Sequence, residues 1–174
     1  MKNKNVSIGL TNPKSPTNVG AVMRAAGCYQ ADAVYYTGVR YDRASAFQTD
    51  TQNIAAKTPL TGVDNWLDSI PESTNIVCVE LAEGAIPLPA FEHPDNVIYI
   101  FGPEDGTIDQ KVIDRASAVV YVPTVGCMNL AATVNVLLYD RLAKSADTIA
   151  NDALIRDSRD NNNKVKVKVT VNSK

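Results

Sequence analysis

The sequence predicts an α/β domain built on a largely parallel sheet with helices on both faces. Three observations carry that prediction. Short apolar runs alternate along the chain with segments whose apolar residues recur at helical spacing, the pattern of β-α-β units. The length of 174 residues corresponds to about one domain at roughly 150 residues each. Apolar residues make up 45% and charged residues 21%, a balance that builds a buried core without staples.

Each element follows from its local signals. Residues 6–10 form the first strand, after which Asn12-Pro13 and Ser15-Pro16 break the chain. A helix follows with Asn18 as its N-cap, Val19, Val22, Met23 and Ala26 as its apolar stripe, and Gly27 as its stop. Residues 33–37 are a second strand, and residues 43–57 read as helix or loop. Trp66 and Leu67 fall in a short helix after Gly62, and residues 75–81 are a strand. Residues 96–101 are a strongly apolar strand that runs into the turn from Gly102 to Gly106. Thr107 and Gln110 stand at capping-box spacing, which predicts a helix to about Ala116. Residues 118–122 are the next strand, ended by Pro123. Residues 129–144 are the best helix, with Leu130, Val134, Leu137, Leu138 and Leu142 at core spacing.

The tail differs in kind. Residues 1–148 read as the domain and residues 149–174 as a polar and basic extension. Asn161-Asn162-Asn163 reads as a turn or a flexible piece. Val165, Val167, Val169 and Val171 then alternate with Lys164, Lys166, Lys168 and Thr170. That period of two gives one apolar and one basic face, an edge strand, a partly disordered tail or a basic arm.

Composition also excludes chemistries. Cys28, Cys78 and Cys127 are odd in number and widely spaced, so they read as reduced thiols. The chain has one histidine and no C-x-x-C, which excludes a multi-histidine metal site and a structural zinc. That histidine, His93, lies between Glu92 and Pro94 in a Pro-rich connection and reads as a surface-loop residue. No apolar run reaches the roughly 18 residues of a membrane span, and no signal-peptide pattern follows Met1, so a cytoplasmic location is expected. With a net charge of −2, a polyanion partner must be held by a local basic patch.

Three turns follow strands: residues 12–20, 101–106 and 123–129. In open α/β sheets ligands sit beyond such strand ends. Gly102, Gly106 and Gly126 let main chain approach a ligand closely. No G-x-G-x-x-G and no P-loop lysine occurs, so this is not a dinucleotide fingerprint. Arg24 has Gly20 four residues before it and Gly27 three after, one cation on a small-residue face opposite the apolar stripe. It is either a fork for a phosphate or a solvated surface arginine. Glu104 and Asp105 flank a helix start, where carboxylates suit the dipole or simply cap. Asn129 is placed as an N-cap, and nothing near Cys127 in sequence would activate a thiolate.

Taken in order, these pieces resemble the three motifs of one family. They are Asn18-x-Gly20-x-x-x-Arg24, the run Tyr99-Ile100-Phe101-Gly102-Pro103-Glu104, and Val122-Pro123 leading to Met128-Asn129-Leu130. The set resembles the SpoU (TrmH-like) branch of the SPOUT RNA methyltransferases, over about residues 5–145. The resemblance implies an α/β knot, in which residues 96–144 form a deep trefoil knot, an exception to unthreaded chains. It also implies a homodimer with its active site near the interface. The reaction it implies is methyl transfer from S-adenosylmethionine to a ribose 2′-hydroxyl of tRNA or rRNA, with no metal.

Carried residue by residue, the resemblance makes Arg24, Glu104 and Asn129 the catalytic set, with Arg24 activating or orienting the 2′-hydroxyl. Asn18, Lys14 and Arg24 would contact RNA. Leu81, Gly102, Val122, Thr124, Cys127 and Leu130 would hold the adenosyl group. Arg40, Arg43 and the Lys164–Lys168 arm of the other subunit would extend the basic surface. Cys127 stands where the family has a serine, the loop 123–129 is short, and one residue fewer separates Glu104 from Gly106. These departures fall on the cofactor loops. They leave a non-catalytic RNA-binding knot protein, or an ordinary nucleotide-binding α/β domain, as the alternatives.

Overall fold

The structure is a computed structural model that describes residues 4–46 and 58–168. The chain divides into two compact units, Met1–Lys144 and Ser145–Lys174.

In the first unit the elements run β1 (Asn5–Leu10), α1 (Pro16–Cys28), β2 (Ala33–Tyr36), α2 (Arg40–Ser45), β3 (Leu60–Gly62) and α3 (Trp66–Ser69). They continue through β4 (Asn75–Val79), β5 (Ile86–Pro87), a 3-10 turn at Leu88–Ala90, β6 (Asn96–Phe101), α4 (Gln110–Arg115), β7 (Ala118–Tyr121) and α5 (Leu130–Lys144). The strands form one sheet in the order β3-β2-β1-β6-β4-β7-β5, and every neighbouring pair is parallel.

Strand β6 explains the two-faced sheet. Its residues from Val97 onward are all buried, and alternate side chains enter opposite cores. Val97, Tyr99 and Phe101 join Val19 and Val22 of α1 and Val134, Leu137 and Leu138 of α5. Ile98 and Ile100 join Trp66 of α3, Ile76 and Cys78 of β4, and Val112 of α4. Gly9 of β1 lets the indole of Trp66 reach the sheet, because a Cβ there would stand 3.1 Å from Trp66 Cη2. Helix α5 follows β7 in sequence but packs on α1.

Register sets where a site can form. Phe101 is aligned with Leu10 of β1 and with Val79 of β4, and Val79 is aligned with Val120 of β7. Four carboxyl ends are therefore flush, so the segments after them emerge at one edge of the sheet.

Several expectations need correction. The N-cap of α1 is Ser15, whose side chain accepts from Asn18 N at 3.2 Å. Pro16, with its φ fixed for a first helical turn, sets that start. Asn18 therefore lies inside the helix with its amide free to reach elsewhere, and the helix continues through Gly27 to Cys28. The cap of α4 is Asp109, which accepts from Lys111 N at 2.9 Å, so Thr107 and Gln110 do not form the box. Leu142 is 40% exposed, so it is not core. Between residues 43 and 57, Arg43–Ser45 close α2, while residues 47–57 lie outside the described residues.

His93 is not on the surface: its side chain is 5% exposed. Of the three thiols, Cys78 is buried while Cys28 and Cys127 are exposed. Among the described residues no helix is long and apolar enough to cross a membrane.

The second unit contains α6 (Asp152–Ser158), capped by Asn151, which accepts from Leu154 N at 2.9 Å. Residues 161–162 form a turn, but residues 163–168 carry no strand. Val165 and Val167 are 80% and 90% exposed. Alternation alone does not make a strand where no neighbour pairs with its backbone. Residues 169–174, with the rest of the alternating run, lie outside the described residues.

Candidate active site

A cavity of about 190 Å³ opens at the carboxyl ends of β4, β6 and β7. Leu81, Gly102, Val122, Thr124, Cys127 and Leu130 all line it, and so do Glu80 and Glu104. The first loop is folded by Glu80, which sequence reading missed. Glu80 Oε1 accepts from Leu81 N at 3.0 Å and Oε2 from Ile108 N at 3.1 Å. This carboxylate ties the segment after β4 to the segment after β6. A Cβ at Gly102 would stand 3.1 Å from Glu80 Oε2. The available signal was an acidic residue at the end of an apolar strand run.

The third loop is closed by Thr124, whose N–H donates to Val122 O at 2.8 Å and whose hydroxyl donates to Gly126 O at 3.1 Å. Gly126 has φ +92°, a left-handed conformation that a side chain would strain. Cys127 follows it as an exposed free thiol.

On the rim, Glu104 collects the β1–α1 loop. Its Oε1 accepts from Ser15 N at 3.3 Å and from Asn18 Nδ2 at 3.2 Å, and its Oε2 from Lys14 N at 3.1 Å. Asn18 Oδ1 accepts in turn from Asn129 Nδ2 at 3.3 Å. Asn129 also caps α5, accepting from Ala131 N and Ala132 N. One hydrogen-bonded chain thus joins the turn after β6, helix α1 and the start of α5. Partial burial pushes the Glu104 carboxyl up. Hydrogen bonds to its anion from its own N–H, Lys14 N–H, the Asn18 amide and Ser15 N–H outweigh that and hold it below the usual value.

Lys14, Asn18, Glu104 and Asn129 are therefore brought together. Arg24 is not. It is exposed on α1, about 9 Å along the helix axis from Asn18 at 1.5 Å per residue. Gly20 and Gly27 beside it leave open space.

A parallel α/β sheet with its pocket at the carboxyl ends of the strands has the layout in which ligands bind in open α/β folds. The model of the SpoU rRNA Methylase family matches residues 5–139, and the chain belongs to that family. No curated protein sequence matches the chain. Among solved structures it is similar to the A. aeolicus TrmH/SpoU tRNA modifying enzyme, at 18% identity and TM-score 0.69, covering 79% of this chain and 74% of that one. It is similar to the AdoMet-bound rRNA methyltransferase from Sinorhizobium meliloti, at 16% identity and TM-score 0.64. That match covers 82% of this chain but only 57% of the Sinorhizobium chain. A third, solved to give structural insights into 2-OH methylation of C/U34 on tRNA, matches at 18% identity and TM-score 0.68, covering 83% and 92%. At these identities the likeness shows the α/β fold.

Proposed function

We propose that this protein is an S-adenosylmethionine-dependent methyltransferase that modifies a ribose 2′-hydroxyl of tRNA or rRNA in the cytoplasm. One observation carries the reading: the six residues expected to hold the adenosyl group line a single pocket whose rim bears the Asn18–Glu104–Asn129 chain. The pocket suits that cofactor. Leu81, Val122 and Leu130 offer apolar wall, and Glu80 and Glu104 add carboxylates that match a cationic ligand.

S-adenosylmethionine supplies an activated methyl group on a sulfonium, so the protein needs neither a metal nor a covalent nucleophile. What remains for the chain is alignment and the handling of one proton. Glu104, held ionised, fixes the β1–α1 loop against the pocket through Lys14 N, Ser15 N and Asn18. Arg24 takes a binding role, through its planar guanidinium fork. It binds the phosphate beside the target ribose and lowers the hydroxyl's pKa, and an RNA phosphate oxygen or water takes the proton.

Two features support a homodimer. Val136, Tyr139 and Leu142, spaced three apart on α5, are 37%, 61% and 40% exposed. Arg24 lies outside the hydrogen-bonded rim of its own chain, which fits a site completed across two subunits. Within each subunit, β6 is inserted between β1 and β4 while α5 returns to α1, which supports threading of residues 96–144 as a trefoil knot.

A second reading, an RNA-binding knot without cofactor, is favoured by the single residue between Glu104 and Gly106 and the exposed loop at residues 123–127. Calorimetric titration separates the two. Saturable micromolar binding of S-adenosylmethionine and S-adenosylhomocysteine, about −8 kcal/mol, supports the enzyme. No binding up to millimolar ligand overturns it. Loss of methyl transfer in both Arg24→Ala and Arg24→Lys supports the forked phosphate contact, and near-full transfer by Arg24→Lys overturns it.

A further inference from the structure

Lys14 and Arg40 are expected to meet RNA, yet both are already engaged by an anion of their own chain. Arg40 Nη1 lies 3.0 Å from each oxygen of Asp105, and Lys14 Nζ lies 3.3 Å from Asp105 Oδ2. The guanidinium is aimed rather than loose, because its Nε and Nη2 both donate to Asn12 O. The Lys14 backbone is held by Glu104. Two cations on separate elements therefore converge on one carboxylate, with geometry that a phosphodiester oxygen pair would also satisfy.

Asp105 is about half exposed, as is Lys14. An ion pair in that setting is weak and screened, so a polyanion can displace it. The position is also notable in the chain: Asp105 is the single residue between Glu104 and Gly106, so its placement follows from the turn that borders the pocket.

We propose that Asp105 is a built-in competitor that occupies the Lys14–Arg40 phosphate site until an RNA phosphodiester replaces it. The inference rests on the RNA-binding reading but not on methyl transfer. Its consequence is selectivity. RNA that contacts only this pair gains little, because two cations must first be released from Asp105. RNA that also engages the rest of the site overcomes the competition.

The test uses the full chain and a labelled twelve-nucleotide polyuridylate, which reports phosphate contacts without a target sequence. Fluorescence anisotropy is read across 50–200 mM salt. Asp105→Asn is expected to bind about tenfold tighter at the lowest salt, a gain that shrinks as salt rises. Its plot of log affinity against log salt steepens by about 1.4, at roughly 0.7 per single-strand phosphate contact. Asp105→Glu, which keeps the charge, behaves as wild type. Adding Lys14→Ala and Arg40→Ala to Asp105→Asn removes the gain. Equal or weaker binding by Asp105→Asn, no measurable binding by either protein, or a gain that survives loss of both cations overturns the proposal. S-adenosylhomocysteine titration of the same samples keeps the two readings apart. Ligand binding without the Asp105→Asn gain sinks only the competitor, and the gain without ligand binding sinks only the enzyme.

Discussion

Two polar clusters join distant parts of the first unit, and they differ in their access to water. The rim cluster of Lys14, Asn18, Glu104 and Asn129 stands at the open carboxyl edge of the sheet. The other lies under α5. His93 Nε2 is 2.8 Å from Asp140 Oδ2, and its Nδ1 is 2.7 Å from the Tyr99 hydroxyl. Lys144 Nζ reaches Asp140 at 2.7 Å and donates to Leu88 O and Phe91 O. Arg141 Nη1 donates to Pro94 O and to the Tyr99 hydroxyl. This second network fastens the end of α5 to residues 88–94, and its histidine side chain is only 5% exposed. Polar side chains thus border a pocket in one place and form a clasp in the other, and the two differ in burial.

The largest effect expected from breaking that contrast is on catalysis. Glu104→Gln turns one acceptor oxygen into a donor facing the N–H groups of the β1–α1 loop. Methyl transfer should fall about 100-fold, or about 2.7 kcal/mol of transition-state stabilisation. Near-wild-type turnover in a radiolabelled-methyl assay would show that the rim does not position RNA.

In the clasp the loss should appear in stability instead. Asp140→Ala removes the partner of His93 Nε2 and the ion-pair partner of Lys144, at a cost of about 2 kcal/mol in urea unfolding. Turnover per folded molecule should hold, and a collapse of turnover with unchanged urea midpoint would reverse the assignment.

The clasp also predicts a pH dependence. Burial lowers the His93 pKa below 6.5, outweighing the hydrogen bond to the Asp140 carboxylate that favours the charged ring. The folded state then binds protons less readily than the unfolded one. Stability from neutral His93 is complete above about pH 6.5 and is lost as pH falls towards the depressed folded value. Protonated Nδ1 could no longer accept from the Tyr99 hydroxyl. Unfolding midpoints followed from pH 7.5 to 5 should decline in wild type and flatten in His93→Gln. An equal slope in both would place the titration elsewhere.

The smallest effect tests the corrected start of α1. Ser15→Ala should cost about 1 kcal/mol and raise methyl-transfer KM more than it lowers kcat, since the cap also orders the loop held by Glu104. A shift no larger than that of Thr17→Ala in thermal melts would return the cap to another residue.

The strands at residues 96–101 and the helix ending at Lys144 were legible because long apolar periodicity leaves one reading. β3 and β5, with three and two residues, are too short to have a period. The α1 cap was misread because Ser15, Thr17 and Asn18 all suit the role, and only the fixed φ of Pro16 chooses among them. The candidate pocket residues came from motif order, whereas Glu80 belongs to no motif. His93 does lie in a connection, as read, but it looked exposed because the partners that bury it lie 6 and 47 positions away. The Arg40–Asp105 pair, 65 apart, was invisible for the same reason. Contacts between distant residues are set by the sheet register.

That register also orders the birth of the molecule. β6 fills the slot between β1 and β4, and its partner in β1 was made about ninety residues earlier. Until residue 101 leaves the ribosome, β1 and β4 each present a bare hydrogen-bonding edge, the kind that recruits other chains. A nascent chain halted before Asn96 therefore carries both edges bare; β6 closes the gap between β1 and β4, and β7 later covers the other side of β4.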